Sequence, residues 1–144
     1  MKKIILPILI VFIDQLTKFF IEKYLYFKQT VIINNVLLFT YVQNKGGAWG
    51  IFNDIPLLFI ILIPVLVVGL GFYSIWSKNK VDSIAIGMII GGALGNYIDR
   101  ILRGYVVDFI DFRVWPVFNV ADVFVVIGGI LLVFGALKGV RDGK

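Results

Sequence analysis

The sequence of 144 residues contains no cysteine and no histidine. Without cysteine the chain cannot form a disulfide, a thiolate metal site or a thiol nucleophile. Without histidine it lacks the base of the usual serine and cysteine hydrolases and the ligands of a paired-histidine zinc helix. The serines Ser74, Ser77 and Ser83 cluster away from the other polar features, so the groups left for chemistry are carboxylates, amides and arginine.

Charged residues are also scarce, since 16% of the sequence is charged and 60% is hydrophobic, with a mean hydropathy of +0.96. Ordinary soluble domains do not have this composition. The formal net charge of +5 comes from basic residues scattered among apolar runs, without the basic stripe that follows a nucleic acid backbone. Length and composition therefore predict one multi-pass membrane domain with no nucleic acid partner.

Four apolar runs predict four transmembrane helices, at about residues 4–27, 55–76, 84–102 and 117–137. The second run has 22 positions without a charge, and a helix of that length spans about 33 Å, which suits a bilayer core of about 30 Å. The first run resembles a secretion signal but has no small-residue cleavage site, so we expect it to be retained.

A region at about residues 28–54 has a different character, which predicts a small β structure. Residues 30–42 are rich in β-branched and aromatic side chains and are too short to span a bilayer. We expect two strands around a turn at Asn34-Asn35. A loop from Asn44 to Gly50 follows, and its glycines allow a close approach of the backbone to another group.

An even number of spans places both termini on one side of the membrane. Seven basic residues fall on each side, so counting positive charges does not decide the orientation. Those on the side of the termini lie in short tails and one tight turn, and we therefore expect that side to be cytoplasmic. Asp108 and Asp122 would then lie towards the outer face.

Charged side chains inside the first span recur at four-residue intervals, at Asp14, Lys18 and Glu22. This spacing places them on one face of a helix. Because lipid does not tolerate such a face, we expect it to look into the helix bundle or a wet cavity. An ion-paired packing face without any chemistry explains these residues equally well.

The third span combines small and polar residues. Gly87, Gly91 and Gly95 repeat every four residues, which is typical of a face that allows close helix contact. Asn96 and Arg100 lie one turn apart on a neighbouring face. The polar end of this span is therefore expected to point towards Asp108.

Two aspartates, Asp108 and Asp122, flank an aromatic connector between the third and fourth spans. Phe109, Phe112 and Trp115 suit a segment in the membrane interface. A carboxylate beside uninterrupted apolar sequence is costly, so we expect these two to meet and share a proton. Such a pair can activate water against an amide. Metal binding, an ion path and a structural role are the alternatives, although hard cations usually require more than two oxygen ligands.

Five segments resemble the motif set of bacterial lipoprotein signal peptidase, also called signal peptidase II. In chain order they are DQLTK at Asp14–Lys18, NKG at Asn44–Gly46, GGALGNYIDR at Gly91–Arg100, VVDF at Val106–Phe109 and FNVAD at Phe118–Asp122. They extend from the first span to the fourth and so cover nearly the whole chain. The resemblance implies an all-α membrane protein with four transmembrane helices, a small extracytoplasmic β-sheet and a short interfacial helix.

The resemblance also implies an activity, that of an aspartic intramembrane endopeptidase. Such an enzyme removes the signal peptide from diacylglyceryl-modified prolipoproteins and cuts just before the lipidated cysteine. Asp108 and Asp122 would be the catalytic pair. The residues that would line or brace the substrate site are Asp14, Asn44, Gly46, Asn96, Arg100 and Asn119. No metal or cofactor is implied, and the expected setting is a single copy among the lipids of the bacterial cytoplasmic membrane.

Two other classes of protein remain as alternatives to a peptidase. A small proton-coupled or ion transporter could use Asp14, Asp108 and Asp122 as relay groups. Such a protein is expected to show a repeat between its halves, and the sequence shows none. A structural membrane subunit is the third possibility, but it leaves the two aspartates unexplained.

Overall fold

The computed structural model describes residues 2–26, 29–33, 36–46, 56–77 and 79–141. Its helices are α1 (Lys2–Leu25), α2 (Pro56–Trp76), α3 (Lys80–Arg103) and α4 (Val120–Arg141), and its strands are β1 (Gln29–Ile33), β2 (Leu37–Asn44) and β3 (Val106–Asp111). All four helices are long and apolar enough to cross a membrane. The prediction of a multi-pass membrane protein with four helices and a small sheet is confirmed.

Helix α3 is the centre of the bundle and packs against each of the other three helices. Gly87 and Gly91 face α1, where an added Cβ at Gly91 would lie 2.8 Å from the Cβ of Ile10. Gly92 faces α4, and its missing side chain leaves room for the carbonyl oxygen of Ala121. The glycines at four-residue spacing therefore let α1 approach α3 closely, as predicted, and Gly92, which is outside that repeat, does the same for α4.

Local signals fix the two ends of α3. Asn79 precedes the helix, and its side chain accepts a 2.9 Å hydrogen bond from the Val81 N–H, which is a typical N-cap. The helix ends at Gly104, whose φ of 76° is a conformation that glycine adopts easily. Because of the Asn79 cap the helix begins at Lys80, one turn before the expected start at residue 84.

A three-stranded antiparallel sheet has the order β1-β2-β3. Strands β1 and β2 are the two predicted strands, while the turn at Asn34-Asn35 and most of the glycine-rich loop, from residue 47 to 50, lie outside the described residues. Strand β3 was not predicted, because its sequence was interpreted as an interfacial connector. The described residues contain no helix besides α1 to α4, so the short interfacial helix is not among them.

The chain turns back on itself after β3 and so brings α4 to the sheet. Arg113 has a φ of 67°, and its N–H donates a 2.7 Å bond to the side chain of Asp111, which closes the turn. Phe118 then pairs with Ile110 through N–H to carbonyl bonds in both directions, of 2.8 and 3.1 Å. The residue that follows, Asn119, is thereby placed beside the middle of β3.

The two ends of the bundle differ. At one end, the Lys3 ammonium near the start of α1 donates a 3.2 Å bond to the Ser77 carbonyl that follows α2. At the same end, Asp82 at the start of α3 lies against Gly135 near the end of α4. The sheet and the first turn of α4 lie at the opposite end, and both candidate catalytic aspartates are there.

Candidate active site

Asp108 and Asp122 line the same cavity, which has a volume of about 240 Å³. Its other polar lining residues are Asn44, Asn96 and Arg100. The rest of the wall is apolar and comes from the start of β3, the segment that follows β3 and α4: Val106, Trp115, Pro116, Val117, Phe118, Val125 and Val126. The cavity therefore brings two carboxylates, two amides and one guanidinium together on an apolar background.

Asp108 is held by strand pairing and by two asparagines. Strand β2 pairs with β3 so that Val42 lies opposite Asp108, which puts Asn44 diagonally across from the carboxylate on the same face. Asn44 Nδ2 donates to Asp108 Oδ2 at 2.7 Å, and Asn119 Nδ2 donates to Asp108 Oδ1 at 2.6 Å. Both oxygens of this carboxyl group, which is only 2% exposed, accept amide hydrogen bonds.

Asp122 is held by the way α4 begins. The Asp122 N–H donates to Asn119 Oδ1 at 3.0 Å, and the Asn119 N–H donates to Asp122 Oδ2 at 3.1 Å. This reciprocal exchange is a capping box, in which the residue before the helix and the third residue inside it satisfy each other. The remaining oxygen, Asp122 Oδ1, accepts a 2.7 Å bond from Asn96 Nδ2.

The three asparagines share one feature: another donor occupies the side-chain oxygen, so the amide N–H group faces the carboxylates. The oxygen of Asn44 accepts from the Gly46 N–H at 3.0 Å. The oxygen of Asn119 accepts from the Asp122 N–H. The oxygen of Asn96 accepts from Lys18 Nζ at 2.9 Å and from Asn119 Nδ2 at 3.0 Å. These bonds fix which end of each amide faces the aspartates.

The protonation of Asp108 follows from its surroundings. Burial, above all, raises the pKa of this carboxyl group from 3.8 to about 7, and the neighbouring Asp122 carboxylate acts in the same direction. The N–H bonds from Asn44 and Asn119 and the charge of Lys18 act in the opposite direction and are weaker. At a pH below about 7, Asp108 can therefore carry a proton while its neighbour is charged.

Arg100 lies at the edge of the cavity with part of its donor set unused. Its Nη1 donates to the Asn96 carbonyl at 3.2 Å, and the guanidinium lies over the ring of Phe59, 4.5 Å from the ring centre. Its Nε is buried and has no partner among the described residues. The guanidinium thus lies against an aromatic ring with one donor still to be satisfied, and Phe59 is a contact that the sequence did not indicate.

A cluster of buried charges lies behind the cavity. Asp14, Lys18 and Asp99 are each fully buried, and Lys18 Nζ lies 2.8 Å from Asp14 and 3.0 Å from Asp99. Asp14 does not line the cavity, but its Oδ1 accepts a 3.0 Å bond from the Ala121 N–H at the start of α4. Its expected part in substrate binding stays a prediction, and its contacts are those of a brace.

Two further predicted site residues, Gly46 and Asn119, are buried and lie outside the cavity lining. Gly46 contacts Asn44 through its backbone, and Asn119 contacts both aspartates. Lys18 and Asp99 were not predicted as part of the site. The signal was present in the sequence, because a lysine four residues after an aspartate inside an apolar span is itself unusual. Among the described residues, no group of three or more acidic side chains is placed to hold a metal ion.

A larger cavity of about 670 Å³ lies between α1, α2 and α3. Aliphatic residues form most of its wall, with Lys3 and Ser74 near the end of the bundle remote from the sheet. It contains neither of the two aspartates. Size alone therefore does not identify the site, and the chemistry lies in the smaller cavity.

Fold and site together define a class: a polytopic membrane protein with a pair of amide-bound carboxylates at one end of its helix bundle. The family model described as signal peptidase (SPase) II matches residues 6–138, which is nearly the whole chain. The chain belongs to the signal peptidase II family, and it is a protease. This result excludes a transporter or a structural subunit as its class.

Curated relatives and solved structures agree with this assignment. The chain is 43% identical over 131 residues to the lipoprotein signal peptidase of Halothermothrix orenii, with 90% of each chain covered. It is 43% identical over 133 residues to that of Clostridioides difficile, again covering 90% of each. A bacterial membrane enzyme solved by the in meso method at 2.3 Å resolution superposes with a TM-score of 0.92 at 34% identity, covering 99% of this chain and 92% of that one.

Proposed function

We propose that this chain removes the signal peptide from lipoproteins as an aspartic endopeptidase, with Asp108 and Asp122 as its catalytic pair. One observation carries the proposal: both carboxylates line one cavity, and asparagine side chains donate to each of them. Two carboxylates in such a site divide the roles of acid and base, because one remains protonated while the other is charged.

Asp122 is the base in the proposed mechanism. The first turn of a helix stabilises negative charge, and both Asp122 oxygens accept N–H bonds. A water molecule between the two side chains gives a proton to Asp122 while its oxygen attacks the carbonyl carbon of the scissile peptide. Asp108, which is protonated below a pH of about 7, donates its proton to the carbonyl oxygen. The product of this step is a neutral geminal diol.

The second step reverses the proton transfers. Asp122 gives its proton to the amide nitrogen as the carbon–nitrogen bond breaks, and Asp108 takes a proton from one hydroxyl of the diol. The products are a carboxylic acid and an amine, and both aspartates return to their starting protonation states. The three asparagines hold the carboxylates in place throughout, since their amides have fixed orientations.

Arg100 is proposed to hold a carbonyl oxygen of the substrate backbone. Its buried, unpartnered Nε supports this role, because a buried donor without an acceptor is costly until a ligand supplies one.

The cavity wall also includes Trp115 and Val126, whose side chains are 60% and 58% exposed at the surface of the protein. A site that opens on an apolar surface suits a lipid-bearing peptide, and the substrate is proposed to be a diacylglyceryl-modified prolipoprotein cut just before its lipidated cysteine.

We propose that the protein lies in the bacterial cytoplasmic membrane, in contact with its lipids, with both termini in the cytoplasm and the active site towards the outer face. The basic residues near the end of the bundle remote from the sheet, which include Lys3 and Lys80, support this orientation. A single copy is expected to suffice, since one chain supplies every group in the cavity.

Because the chain has no cysteine, single cysteines at Lys80 and Val114 test the orientation. An impermeant thiol reagent on intact cells should label only position 114, and labelling of position 80 alone would invert the assignment.

The catalytic assignment is tested with purified protein and a synthetic lipidated prolipoprotein peptide, with the products identified by mass spectrometry. Asp108→Asn and Asp122→Asn should each abolish cleavage while helix content is retained and the melting temperature is not lowered. Asp111→Asn is the matched control, because Asp111 lies on the same strand but outside the cavity lining. Turnover by either of the first two variants at a rate near that of the parent would remove that residue from the mechanism.

A further inference from the structure

Lys18 lies in the interior of α1, fully buried, at the far end of the hydrogen-bond network of the site. An ammonium group has three N–H donors and no acceptor. Three oxygens receive them: Asp14 Oδ2 at 2.8 Å, Asp99 Oδ2 at 3.0 Å and Asn96 Oδ1 at 2.9 Å. The two carboxylates compensate the buried charge. The third bond goes to a neutral amide, and charge compensation does not account for it.

That amide is the one that donates to Asp122. Asn96 Oδ1 accepts from Lys18, and Asn96 Nδ2 donates to Asp122 Oδ1 at 2.7 Å. If the amide turned over, its NH₂ group would face an ammonium that has no acceptor, and its oxygen would face a carboxylate. Both contacts would be repulsive. Lys18, together with Asn119 Nδ2, which donates to the same oxygen at 3.0 Å, therefore determines which end of Asn96 faces the aspartate.

The other two asparagines of the site do not depend on a charged side chain. Backbone N–H groups, those of Gly46 and Asp122, hold the oxygens of Asn44 and Asn119. A side-chain substitution leaves such donors in place. Asn96 differs because side chains supply both donors to its oxygen, and the charged one, the Lys18 ammonium, lies on another helix and can be removed by a single substitution.

We propose that Lys18 is a positioning residue for the peptidase reaction: it holds Asn96 with its amide N–H group towards Asp122. The inference rests on the proposed catalytic pair and concerns the hydrogen bond that orients Asp122 in that pair. Asp14 and Asp99 fix the ammonium, and the Val107 N–H holds the same Asp99 oxygen, Oδ2, at 3.0 Å. The orientation of Asn96 thus depends on a side chain of α1, although Asn96 lies on α3 and Asp122 on α4.

The role predicts a change in pH dependence as well as in rate. Among the described residues, the charged groups around Lys18 and the pair are Asp14 on α1, Asp99, Arg100 and Arg103 on α3, and Asp108 on β3. Without Lys18, the Asn96 amide that donates to Asp122 loses one of the bonds that orient it, and Asp108 loses a nearby positive charge. The loss of that charge lets Asp108 bind its proton more tightly. The falling limb of the pH profile of kcat/KM, which follows Asp108, should therefore move to higher pH.

The experiment compares Lys18→Met with Arg103→Met in the lipidated-peptide assay, each with its melting temperature. Arg103 is the matched control, because it pairs with the same Asp99 but does not contact Asn96. Lys18→Met should lower kcat by about 10-fold or more and keep KM within about 2-fold. It should also move the falling limb of the pH profile of kcat/KM to higher pH. Arg103→Met should keep the parent's kcat and profile. Equal effects of the two substitutions, or a parent-like profile for Lys18→Met, would show that Lys18 is only structural.

A chemical variant keeps the test decisive if Lys18→Met does not fold. Since the chain has no cysteine, Lys18→Cys provides a single thiol. Alkylation in denaturing detergent with 2-bromoethylamine restores an ammonium of the same reach, and 1-bromopropane gives a neutral chain of the same length. After exchange into lipid, the aminoethyl protein should recover activity and the parent's pH profile, and the propyl protein should not. Equal activity of the two derivatives would overturn the proposal.

Failure of this inference is distinguishable from failure of the proposed function. Cleavage by the parent and inactivity of Asp122→Asn test the function without any reference to Lys18. If those results hold and the propyl derivative behaves like the parent, only the positioning role is lost. If Asp122→Asn remains active, the catalytic pair is wrong and the positioning role falls with it.

Discussion

Asn119 and Asp122 exchange two hydrogen bonds across the first turn of α4, one in each direction between side chain and backbone N–H. The same Asn119 side chain donates its amide hydrogens to Asp108 and to Asn96. The helix start and the active site are therefore one structure. Formation of α4 orients Asp122, and the residue that caps the helix also binds the other aspartate.

The dual role of Asn119 can be separated by substitution. Asn119→Ala removes the cap and the bond to Asp108, so we expect a loss of about 1 kcal/mol in unfolding free energy and a fall in kcat of about 10-fold or more. Asn119→Ser retains a capping oxygen but is too short to bridge to Asp108. It should therefore be as stable as the parent and still lose activity.

Chemical or thermal denaturation and the cleavage assay, run on the same preparations, measure the two effects. Val120→Ala is a suitable control, since it changes a neighbouring side chain on α4 without altering the cap. If Asn119→Ser cleaves at the parent rate, the bond from Asn119 to Asp108 contributes nothing to catalysis.

Arg100 is expected to require its planar guanidinium. It lies over the Phe59 ring and keeps one buried donor without a partner among the described residues. A lysine has neither the planar guanidinium nor its fork of donors. Arg100→Lys should insert normally and lose activity by about 10-fold or more. Arg113→Lys is the comparison, because Arg113 is exposed and lies outside the cavity lining.

The readout is kcat/KM for both variants, with membrane insertion checked by extraction and melting temperature. Arg113→Lys should stay close to the parent. Parent-like cleavage by both lysine variants would mean that Arg100 serves only to anchor the helix at the membrane interface.

Packing between α3 and α4 predicts a glycine substitution that acts at a distance. An added Cβ at Gly92 would overlap the Ala121 carbonyl and lie 2.7 Å from Val125. Gly92→Ala should lower the unfolding free energy by about 1–3 kcal/mol and reduce kcat, because the displaced turn of α4 carries Asp122. Gly129→Ala on α4 meets nothing within 4 Å and should be tolerated. A Gly92→Ala protein with the parent's stability and rate would contradict this view of the interface.

The helices were predictable because each one carries its own signal in the sequence. Apolar runs of bilayer length identify α1 to α4, and the glycine spacing in α3 identifies the face that meets α1. Asp99 also pairs with Arg103, four residues later on the same helix, at 2.8 Å. These features depend on neighbours within one helix or on the lipid, and both can be inferred from local sequence.

Strand β3 and the buried lysine were not predictable in the same way. The segment Val106–Asp111 pairs with β2, which lies more than 60 residues earlier, and nothing in its own sequence specifies that partner. The role of Lys18 depends on its contacts with Asp99 and Asn96, which lie on another helix. Glu22 likewise pairs with Arg103 on α3, at 3.4 Å. Such contacts arise from tertiary packing, so the sequence indicated a charged face without its partners.

The raised pKa of Asp108 leads to a prediction about pH. Because burial and the Asp122 charge bring this pKa to about 7, and because the proposed acid must be protonated, kcat/KM should fall as the pH rises through about 7. Asn44 donates to Asp108 and holds its pKa down. Asn44→Ala should therefore move the falling limb to higher pH, and Asp111→Asn should leave it in place.

Stability should change with pH in the same region. A carboxyl group whose folded pKa is raised from 3.8 to about 7 binds its proton more tightly in the folded state. Its contribution is fully present below a pH of about 4 and is lost as the pH rises through about 7. Asp108→Asn, which is always neutral, should remove this dependence and melt at a higher temperature than the parent at pH 8. Melting curves of both proteins between pH 4 and pH 9 measure the difference, and parallel curves would show that Asp108 titrates normally.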